Sequence, residues 1–462
     1  MHESNAGTVT ESTTAADVDI IFEDIHMSEA IQHDKPFWLS GNFAPVFEEV
    51  TDTQLKVTGS IPPELNGRYL RTGANPESGE SLHWFLGNGM VHGIELSNGK
   101  ANWYRNRYVK TPALSSVSDE GTDPRSASLA NTHIVHHAGK ILALEEAHWP
   151  IEMSPELETI GAYNYNGKLE TGMTAHPKIC PETGELLFFA YGMVPPYMTY
   201  HRASADGELI QSEVIDVKGA TMVHDFNITR NFAIFMDLPL IWDFENAANT
   251  GFPIHWSDDY GARLGVMPRN GSNKDVVWYD IDPCYVYHPL NAYEDGDDII
   301  IDVCRMTHAM KPGAVEVAPV LYRWTIHQKT GTVTETQIDE HTVEFPRVPD
   351  SVTGLKHRYG YMAEFGSSLP AAVAFRKYDL QTGATQAHDL GPGREGGEPV
   401  FVPAAGATNE DDGYLMSLVY DAAEDKSELV IVDASTMSNE AIARIHLPVR
   451  APAGFHGSWI AD

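Results

Sequence analysis

The chain has 462 residues, 42% of them hydrophobic and 10% aromatic, and a formal net charge of −34. That content supports a large buried core and excludes wholesale disorder. The charge excludes nucleic acid as a partner, because phosphate binding needs Lys and Arg, and it opposes docking on an anionic membrane.

Cys180, Cys284 and Cys304 form no CxxC pair. Neither a disulfide framework nor a thiolate zinc site is expected, and reducing cytoplasm is the natural compartment. No stretch approaches the roughly 18 apolar residues of a spanning helix.

Taken in chain order, residues 1–35 are polar, rich in Ser, Thr and acids, and without periodicity. A flexible acidic segment is expected there; it has no basic region or apolar run and so is not a signal peptide. From "KPFWLSGNFAPV" onward no Pro/Ser-rich linker interrupts the chain, and one domain is expected over 36–462. This region repeats a short β-rich run, a polar turn and another run. "KILALEE", "ELLFFAYG", "NFAIFMDLPL", "DDIIIDVCR", "VLYRWTIH", "AAVAFRKYDL" and "ELVIVDAS" are predicted strands. "SNGK", "PETGE", "ADGE", "QKTGTV" and "LQTGAT" are predicted turns, where Gly or Asn supplies positive φ. One short helix is predicted at "SPELETI". The pattern is all-β: a sandwich, a barrel or a propeller. Length favours a propeller of about six to eight four-stranded blades.

Of 21 histidines, most fit surface or core roles. His2, His26, His33, His201, His327, His341 and His388 lie in polar or turn contexts, and His136 and His137 end a strand before a turn. Four others differ. His176 in "TAHPK", His224 in "MVHDF", His288 in "YHPLNAY" and His456 in "GFHGSW" each stand where an apolar run reaches a loop. In a propeller such residues can meet around one ion at the mouth of the central channel. Imidazole suits Fe, Zn, Cu or Ni, and each ring then needs an acceptor for its other N–H. Glu146, Glu344 and Glu398 are the matching carboxylates, set within apolar strands where an unpaired charge is costly.

Other motifs say less. "GNGM" and "GPGREGGEP" lack the helix or Lys-Ser/Thr pair of a phosphate loop, and neither GxSxG nor HExxH occurs. The aromatic run "FFAYGMVPPYMTYH" fits core or loop, or else the wall of an apolar pocket or a shallow membrane-facing patch.

These segments together resemble the carotenoid cleavage oxygenases. The likeness runs from about residue 38 to the end, through "GSIPPELNGRYLRTGANP", "HWFLGNGMVHGIEL", "ANTHIVHHAGKILALEE", "TAHPK", "MVHDFNIT", "RLGVMPRNGSNKDVVWYDIDPCYVYHPLNAYEDGD", "EFPRV", "GEPVFVP" and "GFHGSW". The resemblance implies a seven-bladed β-propeller with loops capping the iron-bearing face. It implies Fe(II) held by His176, His224, His288 and His456, with Glu146, Glu344 and Glu398 orienting three of the rings. The implied reaction uses O2 to cleave a conjugated C=C bond into two carbonyl products, without oxoglutarate or an external reductant. Zinc hydrolysis fits less well, because no general base stands beside a three-ligand open site.

For the substrate, a carotenoid or apocarotenoid is the first reading and a phenolic stilbene or vinyl phenol the second. Relatives that cleave phenols carry Lys immediately before the first of the three Glu; here that position is Glu145, although Tyr108 matches their phenol-contacting tyrosine. Asn88 replaces the family's Asp in "GDGM" and is read as a turn substitution. Phe85, Trp149, Tyr191, Phe235 and Trp242 are the expected tunnel lining. A monomer or dimer with weak peripheral membrane contact is expected. A third reading, a non-enzymatic or isomerising polyene binder, conflicts with the complete ligand and carboxylate sets.

Overall fold

The computed structural model describes residues 35–114, 117, 121–244, 253–315, 317–366 and 371–462. His2, His26, His33 and the expected N-terminal segment through residue 34 lie outside the described residues. The described residues hold 32 strands.

The predicted runs become strands because their branched and aromatic side chains fit a pleated surface covered on both sides. Leu186–Tyr191 is buried at its first five positions. Strands farther out, such as Leu209–Val214, alternate between covered and exposed positions, as one wet face requires. The predicted turns carry positive φ at Gly184, Gly207, Gly331 and Gly383, and at both Asn98 and Gly99 of "SNGK".

The helix predicted at "SPELETI" does not form. Ser154 Oγ accepts from the backbone N–H groups of Glu156 and Glu158, and Leu157 takes a φ of 67°. The segment is therefore a tight turn leading into strand Thr159–Ala162. Local hydroxyl-to-backbone bonds outcompete a helix too short to sustain itself.

The strands assort into seven blades. One blade pairs Gly457–Ala461 with Gly67–Ala74, Gly89–Ser97 and Lys100–Tyr108; the next runs His133–His137, Lys140–Leu144, Ile151–Met153 and Thr159–Ala162. The third and fourth begin with Lys178–Ile179 and Asn227–Ile228. The fifth begins with Tyr285–Asp295, and its last strand, Thr332–Arg347, changes partners near residue 343 to begin the sixth. The seventh begins with Val400–Pro403 and ends on Lys56–Gly59 from the N-terminal side of the chain. Each end of the described chain thus completes a blade belonging to the other.

Seven apolar clusters fill the seven junctions between adjacent blades. Residues on or just before the first strands of all seven blades line a central cavity of about 640 Å³. Because every blade is an antiparallel meander, its connections alternate between two faces. First-to-second and third-to-fourth joins are mostly tight, such as 138–139, 296–297 and 380–383. Joins from second to third strand, and from blade to blade, emerge on the other face. There, segments 75–88, 163–177 and 447–456, with the hairpin Leu240–Trp242/Ile254–Trp256, form the expected cap.

Gly67 faces Ala461 in the closing pair, and a Cβ at Gly67 would stand 2.3 Å from the carbonyl oxygen of Ile460. Gly67→Ala is expected to cost about 1–3 kcal/mol of stability through overpacking, measured as a lower unfolding temperature. An unchanged melt would show that the closing strand yields there.

Candidate metal centre

Each of the seven residues singled out from the sequence reaches the capped end of a strand near the axis. His176 stands two residues before Lys178–Ile179, His224 three before Asn227–Ile228, and His456 directly before Gly457–Ala461. His288 lies within Tyr285–Asp295, where the pairing register is irregular between Val286 and Pro289. Glu344 starts the sixth blade, Glu398 precedes the seventh, and Glu146 follows Lys140–Leu144.

The four rings meet. One ligand atom from each lies within 4.8 Å of the other three. Nε2 of His224 is 3.0 Å from Nε2 of His176 and 3.0 Å from Nε2 of His288. The four side chains are 11% exposed or less. Three rings turn Nδ1 onto carboxylates: His288 donates to Glu344 at 2.6 Å, His456 to Glu398 at 3.0 Å, and His224 meets Glu146. Each carboxylate has a further holder. Tyr191 Oη donates to Glu146 at 2.6 Å, the Phe345 N–H donates to Glu344, and the Gly457 N–H donates to Glu398 at 2.9 Å.

Burial pushes His176 and His456 well below the usual imidazole range and His288 down to about 3. Burial acts the same way on His224, but the Glu146 carboxylate outweighs it and raises that ring. Burial also lifts Glu344 to about 8. With Nδ1–H directed at Glu146 and Glu344, the Nε2 atoms of His224 and His288 both present lone pairs. Between neutral rings at 3.0 Å such lone pairs repel, and a proton or a metal ion between them relieves the repulsion. Imidazole nitrogens about 2.1 Å from one metal and at right angles stand about 3 Å apart. The donor set fits a single divalent ion.

A fifth ring, His133, stands beside the centre. It packs 5.8 Å from His176 and 5.2 Å from His456, centroid to centroid, and its Nδ1 lies 2.8 Å from the Ala175 carbonyl oxygen. Burial lowers it to about 3. Its signal in the sequence was weak: "NTHIV" reads as an ordinary strand start. Among the described residues no other histidine joins the four-ring group. His201 is bonded to Thr171 and Ser212, and His388 to the Ser438 carbonyl.

The expected tunnel lining divides. Phe85 packs against Phe455, the neighbour of His456, and Tyr191 stacks on Trp242 beside Glu146. Phe235 is fully buried in the core between the third and fourth blades, and Trp149 is in the core between the second and third. Both were assigned to the tunnel on aromatic character alone, which core and tunnel share. Asn88 is a turn residue: its amide accepts from Glu77 N–H and donates to the Ala113 carbonyl.

A propeller with four imidazoles meeting at its axis, braced by carboxylates, defines a non-haem metal protein. The profile of the retinal pigment epithelial membrane protein family matches residues 43–461. The chain is 37% identical to the carotenoid cleavage oxygenase of Mycobacterium tuberculosis, over 94% of this chain and 99% of that one. It is 34% identical to the carotenoid 9,10(9',10')-cleavage dioxygenase of Crocus sativus, over 93% and 90%. The solved lignostilbene dioxygenase of Pseudomonas brassicacearum matches with a TM-score of 0.85 at 29% identity, over 94% of this chain and all of that one. Cobalt-substituted apocarotenoid oxygenase of Synechocystis gives 0.83 at 26%, over 92% and 98%. The chain belongs to the carotenoid cleavage oxygenase family. It is an oxidoreductase of the dioxygenase type, with Fe(II) as its metal and O2 as co-substrate. No helix among the described residues is long and apolar enough to cross a membrane.

Since the converging lone pairs exist only in the folded ring, Fe(II) should bind the native state selectively. Anaerobic addition of Fe(II) to metal-free protein is expected to raise the unfolding temperature in proportion to log concentration once the site is saturated. A melt indifferent to Fe(II) would count against a preformed site.

Proposed function

We propose that His176, His224, His288 and His456 together bind one Fe(II), within a catalytic unit spanning 36–462. The enzyme then cleaves a conjugated C=C bond of a carotenoid or apocarotenoid to aldehyde or ketone products. The observation that carries this is the meeting of four imidazoles, three of which turn their outward nitrogens onto separate carboxylates. When bound, Fe(II) supplies the redox-active centre at which O2 and the alkene react, and both oxygen atoms end in the two carbonyl groups.

The chain's own residues hold and shield. Glu146, Glu344 and Glu398 fix the direction of three rings by accepting from Nδ1. Phe345 stacks at 5.5 Å on His288, and Tyr287 stands edge-on at 5.4 Å to His224. Phe455 packs at 4.9 Å on Trp84 next to His456. These rings supply apolar walls that exclude water and restrict where a flat polyene can lie.

The second reading, a phenolic stilbene or vinyl phenol, is favoured by the likeness to lignostilbene dioxygenase. The side chains at the two positions that reading depends on are committed elsewhere. Glu145 accepts from the Ala147 N–H and meets His148 Nδ1, closing its own turn. The Tyr108 hydroxyl accepts from Asn75 at 2.6 Å and donates to the Val46 carbonyl at 3.2 Å. Neither leaves a free partner for a phenol oxygen.

A polyene substrate partitions into membranes. Leu82, Leu86, Met193 and Val194 are exposed in loops on the capped face, which supports weak peripheral membrane contact there. Three free, buried cysteines suit a reducing cytoplasm.

Two experiments test this reading. His288→Ala should abolish iron retention and turnover, while Glu→Gln at 146, 344 or 398 should lower iron affinity or activity by about 10–100-fold. Full iron occupancy and normal turnover in His288→Ala would refute the ligand assignment. For the substrate, kcat/KM for an apocarotenal should exceed that for a hydroxystilbene or vinyl phenol, with some of the preference surviving in Glu145→Lys. Equal values in the unmodified enzyme would promote the second reading.

A further inference from the structure

Three of the four rings have a glutamate at Nδ1, and His176 has none. Among the described residues, the carboxylate oxygen nearest its Nδ1 is Oδ2 of Asp225, at 3.8 Å. That separation is too long for a hydrogen bond and too short to seat a water between the two atoms at normal bond lengths. The two atoms are direct neighbours, and a shift of about 1 Å would bring them to hydrogen-bond distance.

Asp225 is only 2% exposed, and a buried ionised carboxylate must be paired. Lys178 Nζ lies 2.8 Å from Oδ1 and 2.9 Å from Oδ2, and the Phe226 N–H donates to Oδ1 at 2.6 Å. Oδ1 thus has two donors. Oδ2 has one, and its other side faces the His176 ring. The covalent placement is reciprocal: Lys178 lies two residues beyond His176, and Asp225 directly follows His224. The ion pair fastens the two ligand-bearing segments of the third and fourth blades together. On the backbone side, the His176 N–H donates to Thr174 Oγ1 at 3.1 Å.

We propose that Asp225 is the positioning residue of His176, filling the place that glutamates fill for the other three rings, with Lys178 and the Phe226 N–H holding its carboxylate in place. This inference rests on the four-histidine reading above. It also assigns a use to a buried ion pair that a purely structural role would leave free to be replaced by apolar residues.

The test is anaerobic titration of the metal-free full-length protein with Co(II), read by its visible ligand-field absorption. Asp225→Asn should weaken Co(II) binding about 10-fold or more and alter the spectrum, and Asp225→Glu should recover much of both. The deciding variant is Asp225→Asn/Lys178→Gln, which removes both charges and leaves no unpaired ion in the core. If Asp225 serves His176, this double variant stays weak and spectrally altered. If Asp225 only neutralises Lys178, the double variant regains native affinity and spectrum, and the proposal is overturned. Native binding by Asp225→Asn alone would overturn it equally. Should that single variant not fold, the double variant decides. His176→Ala is the control for the underlying reading: undiminished Co(II) binding there would defeat the four-histidine site itself, whatever Asp225 does.

Discussion

One strand pairing decides whether the centre exists. Gly457–Ala461 pairs with Gly67–Ala74 across nearly the whole chain, and the residue directly before that closing strand is His456. Closing so long a loop costs conformational entropy before any contact offsets it. Burial at the two adjoining blade junctions compensates: Ile460 enters the core between the first and second blades, and Trp459 packs against the core between the seventh and the first. The outer strand Lys56–Gly59 locks the same closure from the opposite end of the chain. Ring closure and delivery of the fourth imidazole are one event.

Charge around the axis follows from the same convergence. Glu146, Glu344, Glu398 and Asp225 bring four carboxylates into the interior, and Lys178 and Arg347 bring two cations, Arg347 lying 3.7 Å from Glu398. When all are ionised, two negative charges remain uncompensated, which matches an ion of charge +2. The overall acidity of the chain is a separate matter, carried by its solvated surface.

How much of this was legible in the sequence depended on whether a residue's role was local. Long outer and middle strands such as "ELLFFAYG" and "DDIIIDVCR" advertise themselves by composition, and hairpin turns by Gly and Asn. First strands of two residues, Lys178–Ile179 and Asn227–Ile228, do not, because their neighbours around the axis rather than their own side chains hold them. The four histidines and three glutamates stood out because ligating or charged groups sat where apolar runs ended, and the family resemblance then fixed their roles. His133 escaped notice because its position beside the centre is set by blade packing. Asp225 and Lys178 went unremarked within "MVHDF" and "TAHPK", because their pairing joins two blades and needs three dimensions. Phe235 and Trp149 show the converse error, since an aromatic side chain carries no label distinguishing core from tunnel wall.

The alternation of connections between two faces separates chemistry from construction. Every residue of the candidate centre reaches the capped face, while the opposite face closes mostly through tight turns such as 138–139, 296–297 and 380–383. Those turns carry no ligand and no outer carboxylate. That side of the disc is where the polypeptide can be lengthened, tethered to a support or given new ends, because the ring's integrity comes from packing between neighbouring blades and not from where the backbone happens to begin.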